Sequence, residues 1–341
     1  MLALIDLLRR SQGEMLARLG GGPSESAYRT VATGRGWRLR DYGGAGDAPG
    51  LLIVAAPIKR PYIWDLAPSL SVVRSCRLAG LRVALLEWAE PTSSGPAAGL
   101  ADYAGRALGE GVAAAATRLG LHRPVLAGHS LGGTLVAIFA TLAPEHVAGV
   151  VLLGAPLCFH TGVSRFRDAL VTIAPASVPA AIVPGAALSQ LAALAAPETF
   201  IWGRLLDAAA NSADPFAWET HLRVERWALD EMPLAGPLVE QILNWLFRED
   251  RLGRGRLELA GRTVGPAALR VPTLVVSCSA DEVAPPASVR PFVAAMPAGA
   301  AHMLTHPGEP GVALQHLAIL IGRRARARLW PEILDWVRAR R

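Results

Sequence analysis

A serine flanked by glycines is the residue whose setting points most directly to chemistry. The segment Gly128-His-Ser-Leu-Gly132 interrupts an apolar run that starts at Val125 and resumes at helical spacing as far as Ala140. This order predicts a strand, a sharp turn and a helix, with Ser130 in the turn. The unpaired N–H groups at the start of such a helix point toward the place where an acyl oxyanion forms. The pattern therefore predicts a nucleophile elbow, with Ser130 as the nucleophile.

A serine hydroxyl needs a general base, and the base needs a carboxylate that holds it in the correct tautomer. Asp281 follows a predicted buried strand, in a turn from which a carboxylate can reach the end of the sheet. The histidines after it are His302, His306 and His316. Spacing alone favours His302 or His306, whereas the apolar periodicity around His316 is typical of a core or interfacial histidine. From the residues alone, the base stays open among these three.

The elements that must position these residues alternate between strand and helix. Besides the elbow, short apolar runs predict strands at residues 37–42, 51–55, 81–88, 146–154 and 271–277, and helical spacing predicts helices at 72–78, 101–119 and 325–337. This alternation predicts an α/β protein with a mostly parallel central sheet and helices on both faces. Ligands of such sheets bind outside the carboxyl ends of the strands, where Ser130 and Asp281 are expected.

The alternation stops between residues 157 and 265, which predicts a mainly helical cap inserted into the core. We expect a helical leader at residues 1–35 and a core made of residues 36–156 and 266–341. Residues 171–197 carry no charge, but Pro175, Pro179 and Pro184 interrupt them. They predict a pair of short helices rather than a transmembrane span. The cap would form an apolar channel for an acyl chain, or would simply pack over the sheet.

The composition narrows the class of protein. With 52% hydrophobic residues among 341, the chain has ample material for a large core and is not disordered as a whole. The net charge of +6 comes from scattered arginines, with Lys59 the single lysine, so we expect no nucleic-acid partner. Cys76, Cys158 and Cys278 lie in apolar surroundings without metal-ligand spacing. They predict buried thiols and no metal site. We also expect no cofactor. Because the sequence shows no secretory cleavage site, we expect a cytoplasmic protein.

Several motifs resemble the polyhydroxyalkanoate synthase family, a relative of the α/β hydrolases. They are the strand and loop at 51–54 and Arg60-Pro-Tyr-Ile-Trp-Asp-Leu66, the cap segments 224–236 and 255–264, the acid turn Ala280-Asp-Glu-Val-Ala-Pro-Pro286, and the histidine segment His316-Leu-Ala-Ile-Leu-Ile-Gly322. The resemblance covers nearly the whole chain. It implies an α/β-hydrolase fold in which Ser130, Asp281 and His316 form the catalytic triad. The stretch 300–312 would then be an insertion that lengthens the spacing between acid and base.

The oxyanion hole is expected at two backbone N–H groups. The general geometry of the elbow assigns the first to Leu131. The second should come from the loop after the strand at 51–55, and we place it at Ile58.

Two departures from the family bear on the reaction. The resemblance implies a cysteine nucleophile in the synthases, which hold the growing chain as a thioester, whereas this chain has Ser130. Glu282 also stands beside the acid where the synthases often have histidine. Because a serine oxyester is a poorer acyl donor than a thioester, we expect a serine esterase acting on hydroxyacyl or polyester-type esters. The alternatives are acyl transfer from 3-hydroxyacyl-coenzyme A, as in polymer synthesis, and a non-catalytic protein that binds polyester granules or membrane surfaces.

Overall fold

The computed structural model describes residues 2–92, 98–310, 312 and 314–340. Its strands within those ranges are β1 Arg29–Gly34, β2 Trp37–Gly43, β3 Gly50–Val54, β4 Arg82–Trp88, β5 Val125–His129, β6 Gly149–Leu153, β7 Ile182–Val183, β8 Leu234–Ala235, β9 Leu257–Leu259, β10 Arg262–Val264, β11 Thr273–Cys278 and β12 Ala301–His306.

The helices of the same ranges are α1 Leu2–Leu16, α2 Val72–Leu78, α3 Leu108–Leu119, α4 Leu131–Leu142, α5 Arg165–Ile173, α6 Gly185–Ala195, α7 Gly203–Asn211, α8 Pro215–Ala228, α9 Gly236–Gln241, α10 Arg290–Ala294, α11 Ala318–Ile321 and α12 Trp330–Arg338. Wider helical turns extend several of them, at Ala17–Gly21, Ala101–Ala107, Glu198–Trp202, Ile242–Arg248 and Ala325–Leu329. Short 3₁₀ turns lie at Pro61–Trp64, Pro144–His146, Pro266–Ala268, Pro286–Ser288 and Gln315–Leu317.

An eight-stranded sheet forms the centre, with the strand order β1-β2-β4-β3-β5-β6-β11-β12. The strands from β4 to β12 in that order are parallel, while β1 and β2 add an antiparallel edge. The chain leaves β3 toward β4 on one side and returns to β5 on the other. Ligands of open α/β sheets bind at such a reversal, outside the carboxyl ends of the strands. The predicted α/β-hydrolase architecture is confirmed.

Helices cover both faces of the sheet. Because both faces are buried, the central strands are continuous apolar runs. In β3, Leu52 and Val54 belong to the core under α3 and α4, while Leu51 and Ile53 belong to the core under α2, α11 and α12. The helix predicted at 325–337 covers one of these faces, because Trp330 and other α12 side chains are buried there.

Two strands of the central sheet escaped the sequence analysis, and both lie at its edges. The expected helical leader at residues 1–35 is helical only to Gly21, and Arg29–Gly34 form the half-exposed edge strand β1. The interpretation of 300–312 as an insertion is wrong, because Ala301–His306 form β12 beside β11. Gly311 of that stretch lies outside the described residues. Edge strands expose one side, so they lack the continuous apolar run that marks a buried strand.

The segment between β6 and β11 contains α5 to α9 and two small two-stranded ribbons, β7 with β8 and β9 with β10. Its uncharged stretch is divided as expected, since α5 ends at Ile173 and α6 begins at Gly185. Of the helices in the described part of the chain, none is long and apolar enough to cross a membrane. The boundaries of the cap, 157–265, stay a prediction.

Candidate active site

The elbow holds Ser130 in a strained backbone conformation between β5 and α4. Its φ of 55° and ψ of −132° are unusual for a residue with a side chain. Two glycines permit the tight turn. A Cβ on Gly128 would lie 2.5 Å from the backbone of Gly132, and a Cβ on Gly132 would lie 2.6 Å from the carbonyl oxygen of Val54. The turn therefore presents Ser130 at the carboxyl end of β5, beside the loop that follows β3.

Asp281 and His316 form a hydrogen-bonded pair at the carboxyl ends of β11 and β12. Nδ1 of His316 lies 2.7 Å from Oδ2 of Asp281, whose side chain is fully buried. The N–H groups of Val283 and Ala284 donate to Oδ1 of Asp281 at 2.8 and 3.0 Å. Burial alone would raise the pKa of the Asp281 carboxyl, but His316 and these N–H groups outweigh it and hold that pKa below its usual range. Asp281 is therefore an ionised acceptor.

The bond to Asp281 fixes the tautomer of His316. A carboxylate accepts the Nδ1 proton, so Nε2 carries the free lone pair of the neutral ring. Nε2 is buried and has no hydrogen-bond partner among the described residues. Ser130 and His316 line the same cavity. The arrangement can accept a proton from a hydroxyl in that cavity, which is the task of a general base.

The other two candidate bases lie elsewhere. His302 is an exposed residue of the edge strand β12. His306 is buried, and its Nε2 lies 3.2 Å from Oε1 of Glu309, which also accepts the N–H of Ala325 at 2.8 Å. Neither histidine lines the cavity of Ser130. Of the three histidines, the structure therefore brings only His316 to Asp281, whereas spacing alone favoured His302 or His306.

His129 is a functional candidate that the sequence analysis passed over. It precedes Ser130 and is buried, and its Nε2 donates to the backbone carbonyl of His316 at 2.8 Å. Burial, followed by the nearby His316, lowers the pKa of His129 to about 3. The ring is therefore neutral near pH 7 and holds the His316 segment without adding a charge. Its position inside the elbow was the available signal.

The two expected oxyanion donors border the cavity. Leu131 is the first residue of α4, so its N–H belongs to the first turn, where N–H groups lack intrahelical partners. Ile58 lies in the loop after β3 and also lines the cavity, with its carbonyl accepting the N–H of Met232 at 3.3 Å. Both backbone segments thus approach the site from neighbouring strands, β5 and β3.

The cavity has a volume of about 500 Å³, within the range of small-molecule sites. Cap side chains make most of its wall apolar, among them Phe159, Phe166, Leu170, Leu191, Phe200 and Phe247. Two pairs of these rings are in contact, with centroids 4.9 and 5.8 Å apart. Such a wall accommodates an apolar chain beside Ser130.

Other reactive side chains near the site have different roles. Cys158 also lines the cavity, but burial raises the pKa of its thiol to about 12, so it stays protonated. All three cysteines are free and buried, as expected. Glu282, beside the acid, accepts a hydrogen bond from Thr199 of the cap. Over the described ranges, no three His, Cys, Asp or Glu side chains gather as metal ligands would.

Known proteins resemble this chain in sequence. It is 32% identical over 85% of its length to the poly(3-hydroxyalkanoate) polymerase subunit PhaC of Haloferax mediterranei, of which it covers 58%. It is 24% identical, again over 85%, to the PhaC subunit of Thiocystis violacea, of which it covers 81%. The chain spans about three fifths of the length of its haloarchaeal relatives, which include the PhaC subunit of Haloarcula marismortui at 60%. These relatives confirm the resemblance that the motifs indicated.

Solved structures share the fold at low sequence identity. A monoacylglycerol lipase of Paleococcus ferrophilus superposes with a TM-score of 0.54 at 15% identity, covering 89% of this chain and 98% of the lipase. An esterase from Rhodococcus sp. ECU1013 gives 0.54 at 18% identity, covering 91% and 98%. Residues 61–310 match the α/β hydrolase fold family. The chain therefore belongs to the α/β-hydrolase fold family.

Proposed function

We propose that this protein is a serine hydrolase of carboxylic esters. One observation carries the proposal: the strained Ser130 and the imidazole of His316, which is bonded to the buried Asp281, line the same apolar cavity. A nucleophile on an elbow, an imidazole with its outer nitrogen free, and a buried carboxylate behind it are the parts of acyl transfer to serine.

The reaction follows from these positions. Oγ of Ser130 attacks the ester carbonyl carbon while Nε2 of His316 takes its proton, and Asp281 stabilises the resulting imidazolium. The N–H of Leu131 and an N–H of the loop after β3, assigned to Ile58, bind the oxyanion. His316 then gives its proton to the leaving alcohol, which leaves an acyl group on Ser130. Water then gives a proton to His316 and attacks the acyl carbon. The bond to Oγ of Ser130 breaks, His316 returns the proton to Oγ, and the carboxylic acid leaves.

The expected substrates are esters of hydroxyacids or fragments of polyesters. The apolar, aromatic wall of the cap supports an acyl chain of low polarity. The sequence similarity to poly(3-hydroxyalkanoate) polymerase subunits supports a hydroxyacyl unit. Activity on a series of p-nitrophenyl acyl esters tests the proposal, with Ser130→Ala as the control for the nucleophile.

Ser130→Ala should lower kcat by more than about 10³-fold and should abolish labelling by a fluorophosphonate probe. A variant that keeps its esterase activity would contradict the assignment of Ser130. A wild-type protein that neither hydrolyses esters nor reacts with the probe would instead support a non-catalytic protein. The latter alternative draws on exposed apolar side chains of α1 and α7, such as Leu8 and Leu206, that could bind a polyester granule or membrane surface.

Acyl transfer is the second candidate, because the relatives are named as polymerases. The serine nucleophile favours hydrolysis, since an oxyester transfers its acyl group to an alcohol less readily than a thioester does. Incubation with 3-hydroxyacyl-coenzyme A separates the two reactions. Free thiol with free hydroxyacid supports hydrolysis, whereas free thiol with polymer supports transfer and contradicts our preference.

A further inference from the structure

The motif at residues 224–236 is not used by this mechanism. Residues 224–236 are similar to a cap segment of the synthases, yet they supply no member of the proposed triad. In the structure, their middle part runs beside the loop after β3. The N–H of Met232 donates to the carbonyl of Ile58 at 3.3 Å, and Nε1 of Trp227 donates to the carbonyl of Arg60 at 2.8 Å. The cap therefore binds the backbone of that loop on both sides of Lys59.

Glu231 is the ionic centre of this contact. Its side chain is only 6% exposed. Its Oε1 accepts from Nζ of Lys59 at 3.2 Å, from Oγ of Ser189 at 2.7 Å and from Nε of Arg9 at 3.0 Å. These donors come from the loop after β3, from α6 of the cap and from α1. One buried carboxylate thus joins three separate parts of the chain.

Lys59 depends on this carboxylate for its charge. Nζ of Lys59 also donates to the carbonyl of Ala228 at 2.5 Å. Burial lowers the pKa of Lys59 to about 8, and Glu231 is the main group that opposes this shift. Without Glu231, the buried ammonium group would lose its main anionic partner. Because an unpaired charge is unfavourable in a buried site, the Lys59 side chain and its loop would move.

The position of this loop matters because an oxyanion donor must be placed within tenths of an ångström of the developing charge. Lys59 directly follows Ile58, the residue assigned to donate from the loop. We propose that Glu231 is a positioning residue that clamps Lys59 and thereby fixes the loop half of the oxyanion hole. This inference rests on the proposed function of Ser130.

A matched control lies on α8, six residues before Glu231 in the chain. Glu225 of α8 accepts from Nε of Arg204 of α7 at 2.8 Å, so it also forms a largely buried ion pair. That pair joins two cap helices. Glu225→Gln therefore measures the cost of losing a cap ion pair, and Glu231→Gln measures that cost plus any effect on the loop.

The experiment compares Glu231→Gln, Glu231→Asp and Glu225→Gln with the wild type in ester hydrolysis and thermal unfolding. Removing one oxyanion donor costs about 10²- to 10³-fold in kcat, so a displaced donor should cost about 10- to 10²-fold. Glu231→Gln should show that loss with KM changed less than about threefold, and should react with a phosphonate ester more slowly by a similar factor. Glu231→Asp should recover part of the rate, and Glu225→Gln should stay within about twofold.

Two results overturn the inference: an unchanged kcat in Glu231→Gln, or equal losses in Glu231→Gln and Glu225→Gln, which would mean that the cap is merely loosened. If Glu231→Gln does not fold, the pair of variants Lys59→Met and Lys59→Met/Glu231→Gln decides. Both should show the same kcat loss, because the clamp is already broken by the first change. Full activity of Lys59→Met overturns the inference. Turnover in Ser130→Ala would instead refute the proposed function, independently of these variants.

Discussion

Replacing Gly132 by alanine tests how tightly the elbow and the loop after β3 are fitted together. The added Cβ would lie 2.6 Å from the carbonyl oxygen of Val54 and 3.0 Å from the backbone of Ala55 and Ala56. These neighbours are backbone atoms, so they cannot rotate away. An ordinary contact between carbon and oxygen is about 3.3 Å, and the two segments must therefore separate by about 0.7 Å.

This separation should lower both the free energy of unfolding and kcat. Forcing extra volume into packed backbone costs about 1–3 kcal/mol, while the better helix propensity of alanine returns at most about 1 kcal/mol. We expect a net loss of about 1–2 kcal/mol in the free energy of unfolding. Because the shift separates Leu131 from the loop of Ile58, kcat should fall by about 10- to 10²-fold, as misplacements near 1 Å do.

Urea unfolding followed by tryptophan fluorescence measures the first effect, and ester hydrolysis under conditions where the variant is folded measures the second. Gly46→Ala is the matched control, because a Cβ there meets nothing within 4 Å. It should change the free energy of unfolding by less than about 0.5 kcal/mol. Wild-type kcat in Gly132→Ala would refute the reasoning, even if the variant were less stable, because it would show that the donor geometry tolerates the shift.

Further predictions concern Asp281 and His129 near the site and His306 outside it. Asp281→Asn should lower kcat by up to about 10⁴-fold at neutral pH with little change in KM, because the amide no longer holds the base in its tautomer; steady-state kinetics check this, and a loss below tenfold would contradict it. His306→Asn should keep kcat within about threefold in the same assay, since His306 does not line the cavity; a loss as large as that of His316→Ala would restore it as a candidate base. His129 titrates at about 3 in the folded chain and at 6.5 when unperturbed, so between these values the unfolded chain binds an extra proton and stability falls as pH is lowered. Between pH 7 and pH 5, this proton binding lowers the free energy of unfolding by about 2 kcal/mol. Urea unfolding of His129→Gln should lack that part of the acid sensitivity, whereas the exposed His302→Gln should keep it; equal pH dependence in wild type and His129→Gln would contradict the assignment.

Local patterns in the sequence were sufficient for the buried part of the fold. Apolar runs such as Leu51–Ala55 mark strands covered on both faces, and the helix at Val72–Leu78 matches its periodicity residue for residue. The edge strands β1 and β12 were missed for a physical reason. Neither strand forms a continuous apolar run, and pairing with a neighbour, rather than burial, holds both in the sheet.

Local sequence patterns also identify some residues of the candidate site and miss others. Ser130 and Asp281 are identified by their own local settings, a turn between strand and helix and a turn after a strand. His316 is not, because its local sequence is that of a core residue, and only the family resemblance singled it out. The contacts of His129 and Glu231 join residues far apart in the chain, so no local pattern could reveal them.

The late position of β12 in the chain has a consequence for biosynthesis. His129 and the carbonyl of His316 that it binds are 187 positions apart. During synthesis, the segments that carry the elbow emerge first, and domains assemble as their elements become available. If Ser130 and His316 act as proposed, the nucleophile forms while its base is still missing, and a growing or truncated chain that lacks β12 and the turn after it should not activate Ser130. Ester hydrolysis would thus report that contacts between residues far apart in the chain have formed, which makes it a sensitive measure of complete folding.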